Sequence, residues 1–204
     1  NAVHISGDSS NIYDVVQNIN QLQAVGNNLA GNYILGNNID ASATTGWNSN
    51  GSGGYYGFAP IGDATNRFSG TFDGLGHSIN GLFINRTATN DVGLFGGVGT
   101  TGAVRNLGLL GGSVTGKSYV GGLAGANRGT VENAYATGSV TGNGNIGGLV
   151  GWNDSNISNS YATGSVNGTD FVGGLVGTND YSGSISSAYA TGSVTGTGGQ
   201  VGGL

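Results

Sequence analysis

Gly147-Gly148-Leu149-Val150-Gly151 is one copy of a pentapeptide that recurs every 26 residues, at residues 121–125 and 173–177. A hexapeptide, Tyr161-Ala162-Thr163-Gly164-Ser165-Val166, recurs 26 residues earlier at residues 135–140 and 28 residues later at residues 189–194. A unit of this length cannot enclose a core of its own, so its copies must bury their apolar residues against one another. The sequence therefore predicts an all-β fold, a parallel β-solenoid with coils of about 26 residues. Parallel crossover connections are right-handed as a rule, so we expect a right-handed solenoid.

Equivalent residues of successive coils should lie above one another at about 4.8 Å, in columns of like side chains. The predicted interior columns are Leu123, Leu149, Leu175 and Leu204; Val140, Val166 and Val194; and Ala136, Ala162 and Ala190. Strand alternation turns the neighbouring tyrosines to the surface. Residues 104–109 match residues 131–136 in a weaker form, which extends the pattern upstream. The whole chain is expected to form roughly eight coils.

The first part of the chain departs from this pattern. We expect a cap and irregular first coils over residues 1–60, and the solenoid proper over residues 61–204 of one continuous domain. An end coil otherwise exposes its core and an unpaired strand edge, so a cap is needed there. A short helical cap is predicted over residues 12–25, with Ser9 or Ser10 as its N-cap. The residues that would share its apolar face are Ile12, Val15, Val16, Ile19 and Leu22.

Turn dipeptides separate the predicted short strands. They are Asp73-Gly74, Asn80-Gly81, Asn143-Gly144 and Asn167-Gly168. Such dipeptides supply the positive φ angles of tight turns, so we predict that they form corners of the coils. A further bend is expected near Asn133.

Composition excludes several classes of function. The chain has five basic and ten acidic residues and a net charge of −5, so no basic patch is available for a nucleic-acid backbone. It has no cysteine, which excludes disulfides and thiolate metal sites. No apolar run reaches about 18 residues, so no membrane insertion is predicted. The chain starts without methionine and stops within a repeat, which indicates a piece of a longer protein.

Catalytic and metal-binding groups are sparse. Asp73 and His77 form the one close acid–base pairing, and it is interpreted as a turn aspartate beside a hydrogen-bonded histidine. A β-helix polysaccharide-processing enzyme would need Asp63, Arg67, Asp73 and His77 to converge. Zinc spacings and calcium loops are absent from the sequence. We therefore predict no catalytic residues, no metal and no cofactor.

Aromatic residues are the better candidates for a binding site. Stacked tyrosines offer an apolar body and a polar tip to a glycan or a host surface or matrix protein, although they could also merely cover the sheet. A glycine-rich loop at residues 46–57 supplies three more aromatics, which could fold back on the solenoid or stay exposed. The predicted binding residues are Tyr135, Tyr161, Tyr189, Trp47, Tyr55 and Tyr56. Ice binding by threonines of the repeats is a minor alternative, because Asn167 interrupts that array.

The blocks within residues 147–166 resemble the GLUG repeats of large bacterial surface proteins. Residues 32–42, 58–62 and 68–82 look like the segments that precede such repeats in filamentous-haemagglutinin-like adhesins. The resemblance implies a β-solenoid that is secreted or displayed on the exterior of the bacterial outer membrane, often by two-partner secretion through an outer-membrane transporter. GLUG repeats also occur in some IgA-protease-type surface proteins, where they are accessory to the protease.

Together these observations predict a non-catalytic segment of a bacterial surface or secreted adhesin. It would act either as a binding face or as a stalk, and the sequence leaves both open. Near-identical repeats favour the stalk, whereas the aromatic residues of the first part favour recognition. The alternatives are a β-helix polysaccharide-processing enzyme and an accessory module of a surface protease.

Overall fold

A computed structural model describes the backbone of residues 2–5 and 8–204 and the side chains from Ile12 onward. Short strands separated by turns make up nearly all of it. The strands of the first part are β1 (Ala2–Ile5), β2 (Asp8–Val16), β3 (Tyr33–Leu35), β4 (Ile39–Asp40), β5 (Thr71–Asp73), β6 (Ser78–Asn80), β7 (Phe83–Asn85), β8 (Phe95–Val98) and β9 (Ala103–Leu110). One helix, α1 (Ile19–Ala24), and two 3₁₀ segments, Val25–Asn27 and Ser42–Gly46, interrupt them.

The strands of the repeat region follow at short intervals. They are β10 (Ser113–Thr115), β11 (Ser118–Gly121), β12 (Ala124–Asn127), β13 (Thr130–Ala136), β14 (Ser139–Thr141), β15 (Gly144–Gly147), β16 (Val150–Asn153), β17 (Asn156–Ser158), β18 (Tyr161–Ala162), β19 (Val166–Gly168), β20 (Asp170–Gly173), β21 (Val176–Asn179), β22 (Ser184–Ser186), β23 (Tyr189–Ala190), β24 (Val194–Gly196) and β25 (Val201–Gly202).

Four sheets run along the stack, parallel except for the β1–β2 pair, and confirm the predicted parallel β-solenoid. The longest sheet has 12 strands, and the other three have five, four and four. In the repeat region, neighbouring coils pair 26 residues apart, as Val114 does with Val140 and Val140 with Val166. About five turns result, fewer than the eight expected. The strands before β7 all belong to the longest sheet, and isolated bridges at Gly57, Ile61 and Phe68 pair the segment between β4 and β5 with β7 and β8.

Large and small side chains fill different levels of the interior. Leu123, Leu149 and Leu175 are fully buried as predicted, whereas Leu204 in the outermost coil is 61% exposed. The first coils are filled instead by phenylalanine rings, with Phe95 at 5.0 Å from Phe68 between ring centroids. The other rings at this level are Phe58 and Phe72, both fully buried. The interior is therefore wider near the start of the chain, where the larger side chains are needed to exclude voids.

The predicted helix over residues 12–25 is wrong in its first half. Residues 8–16 form β2, which pairs antiparallel with β1 and parallel with β3. Ile12 is 60% exposed, and Tyr13 and Val16 are buried in its place. The β-branched and aromatic residues of this segment favour a strand, and pairing with β3 adds the hydrogen bonds that a helix would have made internally.

The helix that does form is short and begins later. The side chain of Asn18, rather than Ser9 or Ser10, caps α1 by accepting a hydrogen bond from the Gln21 backbone N–H at 3.0 Å. Leu22 is fully buried against the core, so α1 packs on the first coils. Within the described residues, no helix is both long and apolar enough to cross a membrane.

The corners of the coils depend less on glycine than the sequence suggested. Of the four predicted turn dipeptides, only Asn80-Gly81 has its glycine at positive φ, 72° for Gly81. Two columns of other residues take the left-handed conformation, one residue per coil. The first comprises Asn106, Asn133, Asn159 and Ser187, and the second Asp91, Tyr119, Asn145 and Phe171. The bend expected near Asn133 is confirmed.

A ladder of asparagines lies inside the turn that follows β12, β16 and β21. Asn127 Nδ2 donates to Asn153 Oδ1 at 2.8 Å, and Asn153 Nδ2 donates to Asn179 Oδ1 at 2.7 Å. Asn127 and Asn153 are completely buried, so these bonds satisfy amides that water cannot reach. The ladder therefore ties each coil to the next with polar contacts as well as apolar ones.

Candidate functional site

The three repeat tyrosines form one row on the surface of the longest sheet. Tyr135 pairs in register with Tyr161, and Tyr161 with Tyr189. Their rings are almost parallel, at interplanar angles of 2° and 3°, with centroids 4.9 and 5.0 Å apart. The adjacent alanines point the other way, since Ala136 and Ala162 are buried. The structure thus brings together these three predicted binding residues.

The rings of the row stack on one another, so neighbouring tyrosines cover part of each other's ring faces. Tyr135 and Tyr161 are half-buried, and Tyr189 is 51% exposed. The ring of Tyr135 lies over Gly108, where a Cβ would collide with it. Burial first, and then repulsion from the phenolates of its two neighbours, raise the pKa of Tyr161, so its hydroxyl stays protonated. A ligand of this row would contact a line of phenol groups, and the row as a binding site stays a prediction.

The aromatic loop divides into one anchored and two exposed residues. Trp47 is half-buried and stacks on Phe58 with centroids 6.5 Å apart. Tyr55 and Tyr56 are 44% and 43% exposed, and the Arg86 guanidinium lies 5.5 Å from the centre of the Tyr56 ring. The aromatic residues of the loop thus contact Phe58 and Arg86, whereas the tyrosines of the row stack on one another.

The carboxylate and histidine side chains that a polysaccharide-processing enzyme would need to converge are instead hydrogen-bonded to other residues. Asp73 accepts a hydrogen bond from Arg105 Nε at 2.8 Å, and His77 Nδ1 lies 3.3 Å from Asn38 Oδ1. Asp63 caps its own turn by accepting from two backbone N–H groups. Within the described part of the chain, no group of three or more His, Asp or Glu side chains is placed to hold a metal ion.

A second concave site was missed by the sequence analysis. It is a cavity of about 240 Å³ between the second left-handed column and the outer face of β12 and β16. We call it the arginine cavity. Its lining residues are Ala64, Arg67, Asp91, Tyr119, Ala126, Arg128 and Trp152.

The arginine cavity could have been found in the sequence from residues that differ from their equivalents in the neighbouring repeats. Trp152 is in register with Ala126 on one side and Thr178 on the other. Arg128 stands where the next two coils have Asp154 and Asp180, 26 and 52 residues later. Residues that break a near-identical repeat at adjacent places are candidates for a local function.

Charges converge on the arginine cavity. Arg128 lies 5.2 Å from the centre of the Trp152 ring, and its Nε is 3.8 Å from Asp154 Oδ2. Arg67 Nε is buried and has no hydrogen-bond partner among the described residues. Burial raises the pKa of Asp91; attraction to Arg67 and Arg128 opposes that shift, and repulsion from Asp63 adds to it. The cavity therefore contains two cations, a poorly solvated carboxyl and two aromatic side chains.

Comparison with known sequences agrees with the repeat. A profile described as "The GLUG motif" matches residues 116–141, 142–167 and 172–195. The chain contains three GLUG motifs. The first two begin directly after β10 and β14 and the third begins within β20, and each runs through the pentapeptide and the tyrosine of the row.

Two curated relatives match part of this chain. Halomucin of Haloquadratum walsbyi is 40% identical over 136 residues, which is 65% of this chain and 1% of halomucin. A "Putative Gly-rich membrane protein" of Evansella cellulosilytica is 49% identical over 80 residues, 38% of this chain and 9% of that protein. The chain thus spans a small fraction of either relative.

A solved structure shares the solenoid fold. It is described as "a putative immunoglobulin A1 protease from Bacteroides ovatus" and superposes with a TM-score of 0.58. The match covers 93% of this chain and 70% of that chain at 22% identity. At this identity the likeness concerns the fold alone.

Proposed function

We propose that this chain is a non-catalytic attachment segment of a large surface or secreted adhesin. The observation that carries the proposal is the row of Tyr135, Tyr161 and Tyr189, three stacked and nearly parallel phenols repeated at the coil spacing on an outer face. Tyrosine is favoured in recognition surfaces because it contributes contact area and a hydrogen-bonding tip at low entropic cost. The GLUG motifs and the solenoid fold fit a module of a surface protein.

The proposed location is outside the cell, either secreted or on the exterior of the bacterial outer membrane. One relative bears the name of a membrane protein, which supports a place at the cell envelope. The resemblance to filamentous-haemagglutinin-like adhesins adds export through an outer-membrane transporter by two-partner secretion. The proposed partners are a glycan or a host surface or matrix protein.

The competing role is that of a stalk that holds a distal domain away from the cell. Consecutive coils pair in one uniform register, which suits a stiff spacer. The two roles differ in one respect that can be measured. A stalk needs the tyrosines only for covering the sheet, whereas an attachment surface needs them for a ligand.

The test is a screen of the purified chain on an array of glycans and matrix proteins. We expect specific binding by the natural chain and its loss in the variant Tyr135→Ser, Tyr161→Ser, Tyr189→Ser. The matched control changes three exposed residues in the same coils on another sheet, Thr141→Ala, Asn167→Ala and Thr195→Ala, and should bind as the natural chain does. Circular dichroism checks that both variants keep their β-structure.

A second variant separates recognition from packing. Replacing the three tyrosines with phenylalanine keeps the stacked rings but removes the hydroxyl groups. Weaker binding by a folded phenylalanine variant supports recognition through the hydroxyls. An array on which the folded natural chain binds nothing, or on which the serine variant binds unchanged, contradicts the tyrosine row as an attachment surface and favours the stalk.

A further inference from the structure

The arginine cavity is open because large and small side chains alternate between neighbouring coils. Trp152 lies next to Ala126 in the preceding coil, and Ala64 forms part of the opposite wall. At about 30 Å³ per water molecule, 240 Å³ has room for about eight waters, which suits a polar ligand the size of one sugar ring. Two of the seven lining residues, Tyr119 and Trp152, are aromatic and offer surfaces against which sugar rings pack.

One wall contains a donor without an acceptor. Buried polar groups in proteins nearly always have a hydrogen-bond partner, and an unpaired charged donor is costly. Arg67 Nε has none among the described residues. A Cβ at Gly97 would stand 3.0 Å from Arg67 Cγ and 3.3 Å from its Nε, so that glycine makes room for the side chain. Rotation of the guanidinium toward the cavity would give Nε–H an acceptor on a ligand.

A strained residue closes another wall. Tyr119 has φ of 56°, in the left-handed region, where a bulky side chain is a rare outlier. The next coil places Asn145 at the equivalent corner, a residue that tolerates this conformation far better. Strain of this kind persists where surrounding structure holds it and is concentrated at functional sites. Phe171 takes the same conformation two coils later, with φ of 53°, so the place of the Tyr119 ring in the cavity wall, and not the strain alone, supports its role in binding.

The charges select the kind of ligand. Arg128 is already shared between the Trp152 ring and Asp154, whereas Arg67 retains an unused donor. A guanidinium presents paired N–H donors in a plane that matches a carboxylate. Asp91 supplies an acceptor for hydroxyl groups. A ligand with one carboxylate, several hydroxyls and a ring meets each of these groups.

We propose that the arginine cavity binds a single carboxylate-bearing sugar unit, of the uronic or sialic acid type. Arg67 holds the carboxylate, Tyr119 and Trp152 pack against the ring, and Asp91 accepts from a hydroxyl. This inference deepens the proposed attachment function and rests on it for its biological meaning. Its physical test does not require attachment.

The test is a calorimetric titration of the purified chain with glucuronate and with N-acetylneuraminate. We expect one of the two to bind at one site per chain, with glucose at least about tenfold weaker because it has no carboxylate for Arg67. Arg67→Gln should lower the affinity by at least about tenfold. Trp152→Thr, which installs the residue of the next coil, should lower it as well. Lys117→Gln removes one exposed cation outside the cavity and should leave the affinity unchanged.

Several outcomes would overturn the proposal. These are absence of binding by the folded natural chain, equal affinity for glucose, unchanged binding by Arg67→Gln, and equal competition by inorganic phosphate, which would show an adventitious anion site only. If Arg67→Gln does not fold, Arg67→Lys keeps the charge without the planar donor pair and should still weaken binding at least several-fold.

The serine variant of the tyrosine row separates this inference from the attachment proposal. It should bind the free sugar normally. Binding of the free sugar without any binding on the array therefore supports the cavity as a sugar site and contradicts the tyrosine row as an attachment surface. Array binding without binding of the free sugar supports the tyrosine row and contradicts the cavity as a sugar site.

Discussion

Asp91 is a carboxylate whose surroundings oppose its charge. It lies at a left-handed corner, φ 56°, at the edge of the arginine cavity. Burial is the main cause that raises its pKa above the ordinary value of 3.8, and Asp63 adds to the effect, while Arg67 and Arg128 act against it. Since the net shift is upward, the ionised form is less favourable in the folded chain than in the unfolded one. The corner itself tolerates asparagine as readily as aspartate.

Asp91→Asn should therefore stabilise the chain at neutral pH. The cost of ionising Asp91 is fully present above its folded pKa and disappears as the pH falls below about 3.8, where both states are protonated. Urea unfolding at pH 7 and at pH 3.5 should show an advantage for the variant at the first pH only.

Asp40→Asn is a control for which the opposite change in stability is expected. Hydrogen bonds from Ser42 lower the pKa of Asp40, so its carboxylate contributes stability above pH 3.8 that is lost as the pH falls through the folded pKa. That variant should lose stability at pH 7 and approach the natural chain in acid. An Asp91→Asn variant less stable than the natural chain at pH 7 would mean that attraction to the two arginines outweighs burial.

The turns after β12, β16 and β21 are held by the asparagine ladder in addition to apolar contacts. Asn153 is at its centre, where its Oδ1 accepts from Asn127 and its Nδ2 donates to Asn179 and to the Ser155 carbonyl. Because the amide is fully buried, water cannot replace a lost partner. The ladder therefore sets the position of each turn relative to the next, and its central residue supports two interfaces between coils.

Asn153→Ala should lower the free energy of unfolding by about 2–4 kcal/mol. The loss combines a small cavity with buried amides left short of partners. Equilibrium urea unfolding followed by circular dichroism measures it. Asn167→Ala, an exposed asparagine in the same coil region, is the matched control and should stay within about 0.5 kcal/mol. Equal losses in the two variants would show that the ladder adds nothing beyond ordinary side-chain contacts.

Burial falls off along the stack. Ile157 and Val166 are 1% and 0% exposed, whereas their partners in the outermost coil, Ile185 and Val194, are only partly buried. In a solenoid each coil contacts only its neighbours, so stability is a sum of local interfaces. A coil with one covered side opens at lower cost than a coil with two.

Hydrogen exchange should reveal this gradient. We expect amides of β22, β23 and β24 to exchange at least about tenfold faster than the equivalent amides of β17, β18 and β19. Mass spectrometry of peptides from the two coils measures the difference, and their near-identical sequences make the comparison direct. Equal protection in both coils would indicate that the whole stack unfolds as one cooperative unit.

Much of this architecture can be predicted from the residues alone. The 26-residue period allows no self-contained core, so it requires stacked coils, and the alternation beside Ala136 and Ala162 turns the tyrosines outward. GLUG motifs and interior columns follow from the same pattern. These features are local and repeated, so each copy of the repeat supports the structure predicted for the other copies.

Tertiary structure decided the features that depend on unlike segments meeting. Ile12 to Val16 satisfy a helical period, but pairing with β3 makes them a strand. The left-handed corner at Tyr119 was not visible in the turn dipeptides. The arginine cavity joins Arg67 to Trp152 across 85 positions of sequence. A repeat specifies how each coil packs on the next one. A site made of residues that depart from the repeat forms only when the folded stack places those residues side by side.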